Sequence, residues 1–339
     1  MTSSSNLINK NERLFRRLAL LTVISVYLIV VAGGVVRSTG SGMGCPDWPR
    51  CFGSWVPPTD ASQLPPNYAE IYGAKLKGEV VFNAAKTWIE YVNRLVGAVS
   101  GLLVLATFLL SIRYFRKDRP VFVGSLAALL LIGFNAWLGS KVVSSELAPY
   151  MVTLHMLLAI VVIFALLYVM VRSNAPAYVV SLADGAKRSI NRTLWWSIGL
   201  LTVQVVLGTQ VREAMDEVMT AMGEAGRMFW IERIGLPFYV HRSFSLLVLG
   251  FHVALLYQLY QRGRQNTNLY RWTLALFVMI LLEIASGIIL AYLGVPAFAQ
   301  PIHLTLALVA LGVQFIILLM VNARTFLKTE QPSALSYAH

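Results

Sequence analysis

Charged residues are scarce in this chain of 339 residues: they make up 13% of it, whereas hydrophobic residues make up 57%. This balance, together with long apolar runs, is typical of a polytopic membrane protein, because a helix needs roughly 20 apolar residues to cross the hydrocarbon core. The runs are too long and too uniformly apolar for the strands of a membrane barrel. The predicted fold class is therefore all-α.

Eight membrane spans are predicted from the apolar runs. They lie near residues 17–36, 89–112, 121–140, 150–171, 193–211, 238–260, 270–293 and 301–323. The leader before the first span lacks a small-residue cleavage site. We therefore expect the first span to be retained, with no transit peptide before it.

Acidic residues are scarcer than basic ones, 16 against 28, which gives a net charge of +12. The cations lie before the first span and in the loops after the second, fourth, sixth and eighth spans. The positive-inside rule then predicts a multi-pass protein of the cell (inner) membrane with both termini in the cytoplasm. Because the cations are spread over several loops and form no single basic face, nucleic acid is not a predicted partner.

Cysteine is nearly absent. The two cysteines, Cys45 and Cys51, lie in a long outer loop of roughly residues 38–87. Their C-x5-C spacing is too wide for the C-x2-C of zinc ribbons, and no histidine is nearby in sequence, which argues against that class of metal site. Two interpretations remain open: a disulfide that staples the loop in an oxidising compartment, or a pair that passes electrons by thiol–disulfide exchange.

Histidine is also scarce, with five in the chain, yet three of them take part in an internal repeat. The stretch around Asn93 is similar to the stretch around His241, and these two positions differ by 148. His155 and His303 differ by the same number. Two matched offsets predict two homologous halves, each with a pair of polar positions.

The predicted halves are residues 1–173 and 174–339, joined by a cytoplasmic connection. Each contains four predicted spans, so the expected architecture is two pseudo-symmetric four-helix bundles. An internal repeat also occurs in many secondary transporters, which is a further interpretation. Against it, the two halves have the same topology, and the sequence has no paired broken helices at mid-membrane.

The four repeat-matched positions lie a few residues into the second, fourth, sixth and eighth spans, which all run from outside to inside. They should therefore share a similar depth near the outer leaflet. Two imidazoles on facing helices suit the two axial positions of a haem iron, whereas zinc would require three or four ligands. His252 lies three turns beyond His241, about 16 Å deeper, which is too far to share a metal ion. We interpret it as a hydrogen-bonded helix residue rather than a second haem ligand.

Glu90 and Asn93 are three residues apart and share one face of the second predicted span. Glu90 can complement the helix dipole in headgroup water, or it can face a buried site as a proton-handling group. Arg94 can extend to the membrane interface, or it can bind a ligand that carries a carboxylate. The sequence leaves both alternatives open for each residue.

Several motifs together resemble the heme A synthase family. They are the run from Gly33 to Pro49, the stretch from Glu90 to Gly97, and the helix-opening His155, His241 and His303. The resemblance covers essentially the whole chain, and the glycine-to-cysteine run is its most specific part. It implies an eight-helix protein of two halves, with haem b between His241 and His303 in the C-terminal half and haem O in the N-terminal half.

The resemblance also implies a reaction. The C8 methyl group of haem O would be oxidised to a formyl group, with an oxygen atom from water, to give haem A for terminal oxidases. Glu90 would be the acidic residue near this methyl group, where it would transfer protons or stabilise a cationic intermediate. Cys45 and Cys51 would be the loop pair of the family and are predicted to take part in catalysis.

Haem ligands and partners are implied in the same way. His155 would ligate the substrate iron, and Arg94 and Arg242, at matching positions in the repeat, are expected to contact haem. The expected partners are haem O, membrane lipid, a haem O synthase, oxidase assembly factors and a redox partner that the sequence does not identify.

Many members of the family have histidine where this chain has Asn93. Asparagine is a poor ligand for haem iron, so the substrate iron is expected to be five-coordinate or bound to water through Asn93, unless the N-terminal half has lost its haem. The alternative function is a non-catalytic b-type cytochrome that carries electrons in the membrane. The pair of His241 and His303 would support it, but it leaves Glu90 and the cysteine loop without a role.

Overall fold

The computed structural model describes residues 2–73, 82–180, 182–262 and 266–327. The first helices are α1 (Thr2–Ser38), α2 (Tyr68–Tyr72), α3 (Ala84–Ser111), α4 (Tyr114–Lys117), α5 (Arg119–Ser144) and α6 (Pro149–Ser173). They are followed by α7 (Asp184–Met222), α8 (Trp230–Ile234), α9 (Leu236–Arg262), α10 (Thr267–Tyr292), α11 (Ala299–Val321) and α12 (Ala323–Phe326). No strand is present in these ranges, and the all-α class is confirmed.

Eight helices in the described part of the chain are long and apolar enough to cross a membrane: α1, α3, α5, α6, α7, α9, α10 and α11. Each corresponds to one predicted span, so the eight spans are confirmed. All of these helices except α11 are longer than the predicted runs, because polar residues continue them at their ends. The clearest case is α7, whose 39 residues are about 58 Å long and pass well beyond the predicted span.

Contacts between the long helices recur along the chain. α1 packs against α3 and α6, and α5 packs against the same two helices. In the second part, α7 packs against α9 and α11, and α10 again packs against both. This is the correspondence that an internal repeat requires. The division into two separate bundles stays a prediction, because α11 also packs against α1 and α6.

Two contacts join the repeated parts at matching positions. Gly34 on α1 lies so close to α11 that a Cβ atom added to it would be 2.7 Å from the Cβ of Pro301. Between α6 and α7, the Thr153 hydroxyl donates to the Thr209 hydroxyl over 3.2 Å. Thr153 and Pro301 differ by the same 148 positions as the histidine pair. The central element of this interface is α11, in which most side chains from residue 307 to residue 321 are buried.

The start of α1 and the end of α6 meet at one face of the helix assembly, where Arg16 Nε donates to the carbonyl oxygen of Ser173 over 2.8 Å. We call this the N-terminal face. At the other ends of the helices, Arg37 on α1 forms an ion pair with Asp216 on α7. We call this the site face, because the residues singled out from the sequence lie near it.

Replacing Gly34 with alanine should destabilise the protein, because the added Cβ meets both the backbone and the ring of Pro301. Overpacking of this kind costs about 1–3 kcal/mol. We expect a lower unfolding temperature in detergent, measured by tryptophan fluorescence. Gly33→Ala is the matched control, since no atom of the residues that the structure describes lies within 4 Å of a Cβ at Gly33 and the change in helix propensity is the same. Equal unfolding temperatures for the two variants would show that the contact between α1 and α11 is not tight.

Candidate active site

Glu90 lies near the start of α3 and its side chain is buried. Its Oε2 atom accepts a hydrogen bond from the backbone N–H of Cys45 over 2.7 Å. Its Oε1 atom is paired with the guanidinium of Arg94, one turn further along the same helix. The carboxylate therefore lies inside the protein and not in headgroup water.

Arg94 holds the outer loop against α3. One terminal nitrogen donates to the carbonyl oxygens of Asp47 and Arg50 over 2.7 and 2.9 Å, and the other donates to that of Cys45 over 3.0 Å. Together, Glu90 and Arg94 satisfy both donors and acceptors of the loop backbone. The predicted contact between Arg94 and haem stays a prediction, while the structure shows this arginine bonded to the loop.

Cys45 and Cys51 form a disulfide, and both side chains are fully buried. Within the loop that they close, the Asp47 carboxylate accepts hydrogen bonds from the backbone N–H groups of Phe52 and Gly53, over 2.6 and 2.8 Å. The structure agrees with the interpretation of the cysteines as a loop staple. Their catalytic role stays a prediction.

Each of the three histidines near the site face lies against a glycine of a neighbouring helix. The pairs are Gly139 with His155, Gly208 with His241 and Gly287 with His303, and in each a Cβ on the glycine would lie 3.3 Å from the ring Cε1 atom. The nearer ring nitrogen is Nδ1 in every case, at 3.8 or 3.9 Å. The three rings are therefore turned the same way, with Nε2 farther from the adjacent helix.

His241 on α9 and His303 on α11 lie opposite each other. Their ring centres are 6.3 Å apart, and the planes of the rings are inclined at 73°. An imidazole nitrogen lies about 2 Å from a metal ion that it binds, so two imidazoles on opposite sides of one iron have ring centres about 6 Å apart. The spacing of this pair therefore fits a haem iron.

Neighbouring polar groups orient this pair. His303 Nδ1 lies 2.8 Å from the Ser286 hydroxyl and 3.1 Å from the Glu283 carboxylate, which leaves Nε2 for a metal. The Gln204 amide donates to the carbonyl oxygen of His241 over 3.1 Å and lies 3.4 Å from its Nε2 atom. A partner on Nδ1, as His303 has, fixes the orientation of a ligating histidine, whereas the Gln204 amide lies beside the Nε2 atom of His241 that would bind a metal.

Buried polar atoms without a hydrogen-bond partner cluster near the site face. In the described residues, nine of them belong to Arg37, Trp88, Asn93, Asn135, His155, Gln204, Arg212, His241 and Glu283. The two that lie elsewhere belong to Tyr114 and Gln314. An unpartnered buried polar atom costs about 1–3 kcal/mol. A cluster of them marks a place where a bound molecule would supply partners.

The surroundings of His155 are less polar than those of His303. The positions that match Glu283 and Ser286 in the repeat are Asn135 and Leu138. In the described residues, no side chain makes a hydrogen bond to His155 Nδ1, and the Asn135 side-chain oxygen has no partner. His155 is therefore oriented by fewer polar side chains than His303.

Asn93 stands on α3 where His241 stands on α9. On the facing helices, Gly33 and Gly208 also match, because each follows two valines and one further apolar residue. Gly208 contacts the His241 ring, whereas no atom of the described residues lies within 4 Å of a Cβ at Gly33. The shorter asparagine therefore leaves room where the other half holds an imidazole.

The two remaining sequence candidates lie apart from these groups. Arg242 is exposed on α9, and its contact with haem stays a prediction. His252 is buried deeper in α9, where its Nδ1 donates to the Val248 carbonyl oxygen over 2.7 Å and its Nε2 contacts the Gln314 amide. The interpretation of His252 as a hydrogen-bonded helix residue is confirmed.

Sequence reasoning missed the glycines that contact the rings. The internal repeat could have identified two of these glycines, since Gly139 and Gly287 also differ by 148 positions. Gly208 does not follow this offset, because the loop after α1 is longer than the loop after α7. Ser286 was missed because its counterpart in the other half is apolar.

The chain was compared with known proteins. It matches the family model described as cytochrome oxidase assembly protein (COX15-CtaA) over residues 16–315. It is 25% identical to the heme A synthase of Shewanella oneidensis over 292 residues, which are 79% of this chain and 84% of the relative. It is 26% identical to the heme A synthase of Brucella anthropi over 341 residues, with 91% of this chain and 92% of the relative covered. The heme A synthase of Brucella ovis is 26% identical over 334 residues, with 90% and 91% covered.

The family match extends from α1 to α11 and so includes the disulfide loop, the buried Glu90 and the three histidines that lie against glycines. This chain therefore belongs to the heme A synthase family of cytochrome oxidase assembly proteins.

Proposed function

We propose that this protein is a heme A synthase, which oxidises the C8 methyl group of haem O to a formyl group and so makes haem A for cytochrome oxidase assembly. The names of its relatives support this activity. The observation that carries the proposal is the 6.3 Å between the ring centres of His241 and His303, which suits a haem iron. The alternative of a non-catalytic electron carrier has no support among these relatives.

His241 and His303 are the proposed ligands of a resident haem b. When bound, this group supplies a centre that takes up and releases single electrons. Ser286 and Glu283 hold the His303 ring by its Nδ1 atom, which directs Nε2 towards the iron position. Arg242, at the exposed edge of α9, is the proposed partner of a haem carboxylate.

His155 is the proposed ligand of the iron in the substrate haem O. Asn93 lies at the position that matches His241, and its amide is a poor iron ligand, so this half offers one imidazole where the other offers two. A single imidazole suits a molecule that must enter as substrate and leave as product.

Glu90 is the proposed proton acceptor. Oxidation of a methyl group to a formyl group with oxygen from water releases electrons and protons. The carboxylate keeps lone pairs beyond its bonds to the Cys45 N–H and to Arg94, so it can accept a further hydrogen bond from water or substrate. We assign the Cys45–Cys51 disulfide the role of holding the Cys45 N–H against Glu90 and of keeping bulk water from the site.

The remaining proposals concern the surroundings of the enzyme. The distribution of cations supports a cell (inner) membrane location with both termini, and hence the N-terminal face, in the cytoplasm. A haem O synthase would deliver the substrate, a redox partner would accept the electrons, and oxidase assembly factors would receive haem A.

Glu90→Gln should abolish haem A while haem b is retained, because an amide occupies the same space but cannot take up a proton. Loss of a general base lowers turnover by about 10²–10⁴-fold. The haems are extracted with acid solvent from protein made in membranes that contain haem O, and separated by reversed-phase chromatography with mass detection. Glu146→Gln, an exposed carboxylate after α5, is the control and should leave haem A unchanged. Unchanged haem A in Glu90→Gln would rule out the catalytic role.

Substitutions of the histidines in the two halves should remove different haems. His241→Ala and His303→Ala should each lose haem b and its low-spin absorption spectrum, because one of the two imidazoles that would hold the group is removed. His155→Ala should keep haem b but lose haem O and haem A, and it serves as the control for folding. The measurement is the same extraction, with spectra of the intact protein. Retention of haem b in both His241→Ala and His303→Ala would contradict the assigned site.

A further inference from the structure

A cavity of about 480 Å³ opens at the N-terminal face, at the opposite ends of the helices from the proposed haem sites. It lies between the start of α1, the short helix α4, the start of α5 and the end of α6. The function proposed above gives it no role.

The lining of this cavity carries more positive than negative charge. Its charged residues are the cations Arg16, Lys117, Arg119 and Arg172 and the carboxylates Glu12 and Asp118. An excess of cations around a concave surface attracts anions.

Both carboxylates are already paired with cations. Arg172 Nε donates to the two carboxylate oxygens of Asp118 over 2.9 and 3.1 Å, and a second nitrogen lies 2.8 Å from the first oxygen. Glu12 forms an ion pair with Lys117 and lies 3.8 Å from a guanidinium nitrogen of Arg16. Neither carboxylate is therefore left to repel an anion that enters.

Arg119 has no carboxylate partner in the described part of the chain, and its side chain is exposed. It is the first residue of α5, and the preceding Asp118 makes no capping hydrogen bond because it is turned to Arg172. Pro120 has no N–H and the Val121 N–H donates to the Asp118 carbonyl oxygen, so the guanidinium of Arg119 is the group here that favours phosphate.

A second cavity, of about 500 Å³, lies on the other side of α4. It is lined by Phe108, Ile112, Arg113, Phe115, Arg116 and Phe122. The Phe122 ring centre lies 5.7 Å from that of Phe108 and 5.1 Å from that of Phe115, which makes a continuous aromatic wall. The Arg119 guanidinium lies 5.8 Å from the centre of the Phe115 ring, so the cationic and the aromatic cavities are neighbours.

We propose that these two cavities bind one anionic phospholipid. Its phosphate lies beside Arg119 in the cationic cavity, and an acyl chain lies along the aromatic wall of Phe108, Phe115 and Phe122. Basic pockets between membrane helices at headgroup depth recognise anionic lipid heads. Inorganic phosphate could bind Arg119 in the same way as the phosphate of a lipid, but it would leave the aromatic cavity empty. We therefore propose a phospholipid as the occupant.

Thermal unfolding of the full-length protein in neutral detergent tests this proposal. Phosphatidylglycerol, phosphatidylcholine or inorganic phosphate is added in increasing amounts. Phosphatidylglycerol should raise the unfolding temperature to a plateau, and the other two should not at equal concentration. Arg119→Gln should unfold at the same temperature as the unaltered chain without lipid, and should bind phosphatidylglycerol about tenfold more weakly, since one hydrogen bond to a charged group is lost.

Arg188→Gln is the matched control. Arg188 is an exposed arginine in the first turns of α7 and lines neither cavity, so its replacement should leave the affinity unchanged. Equal stabilisation by phosphatidylcholine, or an equal loss of affinity in Arg188→Gln, would overturn the proposal. Stabilisation by inorganic phosphate that competes with phosphatidylglycerol would replace the lipid with a soluble phosphate.

Discussion

The position of the site depends on close contact between imidazole rings and helix glycines. Where α5 meets α6, α7 meets α9 and α10 meets α11, a glycine lets a histidine ring lie directly against the neighbouring helix. These are also helix pairs that hold the assembly together. A larger residue at the glycine would separate two helices and turn a ring at the same time. The geometry of the site and the packing of the helices are therefore one property of the fold.

The spans could be predicted from the sequence, because the length of apolar runs determines them. The contacts that hold the outer loop over Glu90 could not be predicted from the sequence. They depend on three carbonyl oxygens of a loop that precedes Arg94 by more than forty residues, and no local pattern encodes them. The contact between Gly208 and His241 could not be predicted either. The two halves have outer loops of different length, so the offset of 148 positions does not relate α1 to α7.

The two halves share their helices but not their polar groups. His252 and Gln314 contact each other in the C-terminal half, whereas the matching positions in the repeat are Val104 and Leu166, both buried. A polar pair inside a membrane protein fixes two helices in one register, because the pair finds no other partner there. In the N-terminal half, the buried hydroxyls of Thr22 and Thr107 join α1 to α3 over 2.8 Å instead. The two halves are therefore held by different polar contacts.

The central position of α11 has a consequence for how the protein is made. This helix packs against α1, α6, α7 and α10, yet it is the last of the eight long helices in chain order. A chain is synthesised from its N-terminus, and early segments wait for later ones when their packing partners are distant in sequence. The first membrane helices cannot reach their final arrangement until the ribosome has completed α11. His303 is then the last side chain of the site to be synthesised, and the pair of His241 and His303 can bind a haem only after α11 has been made.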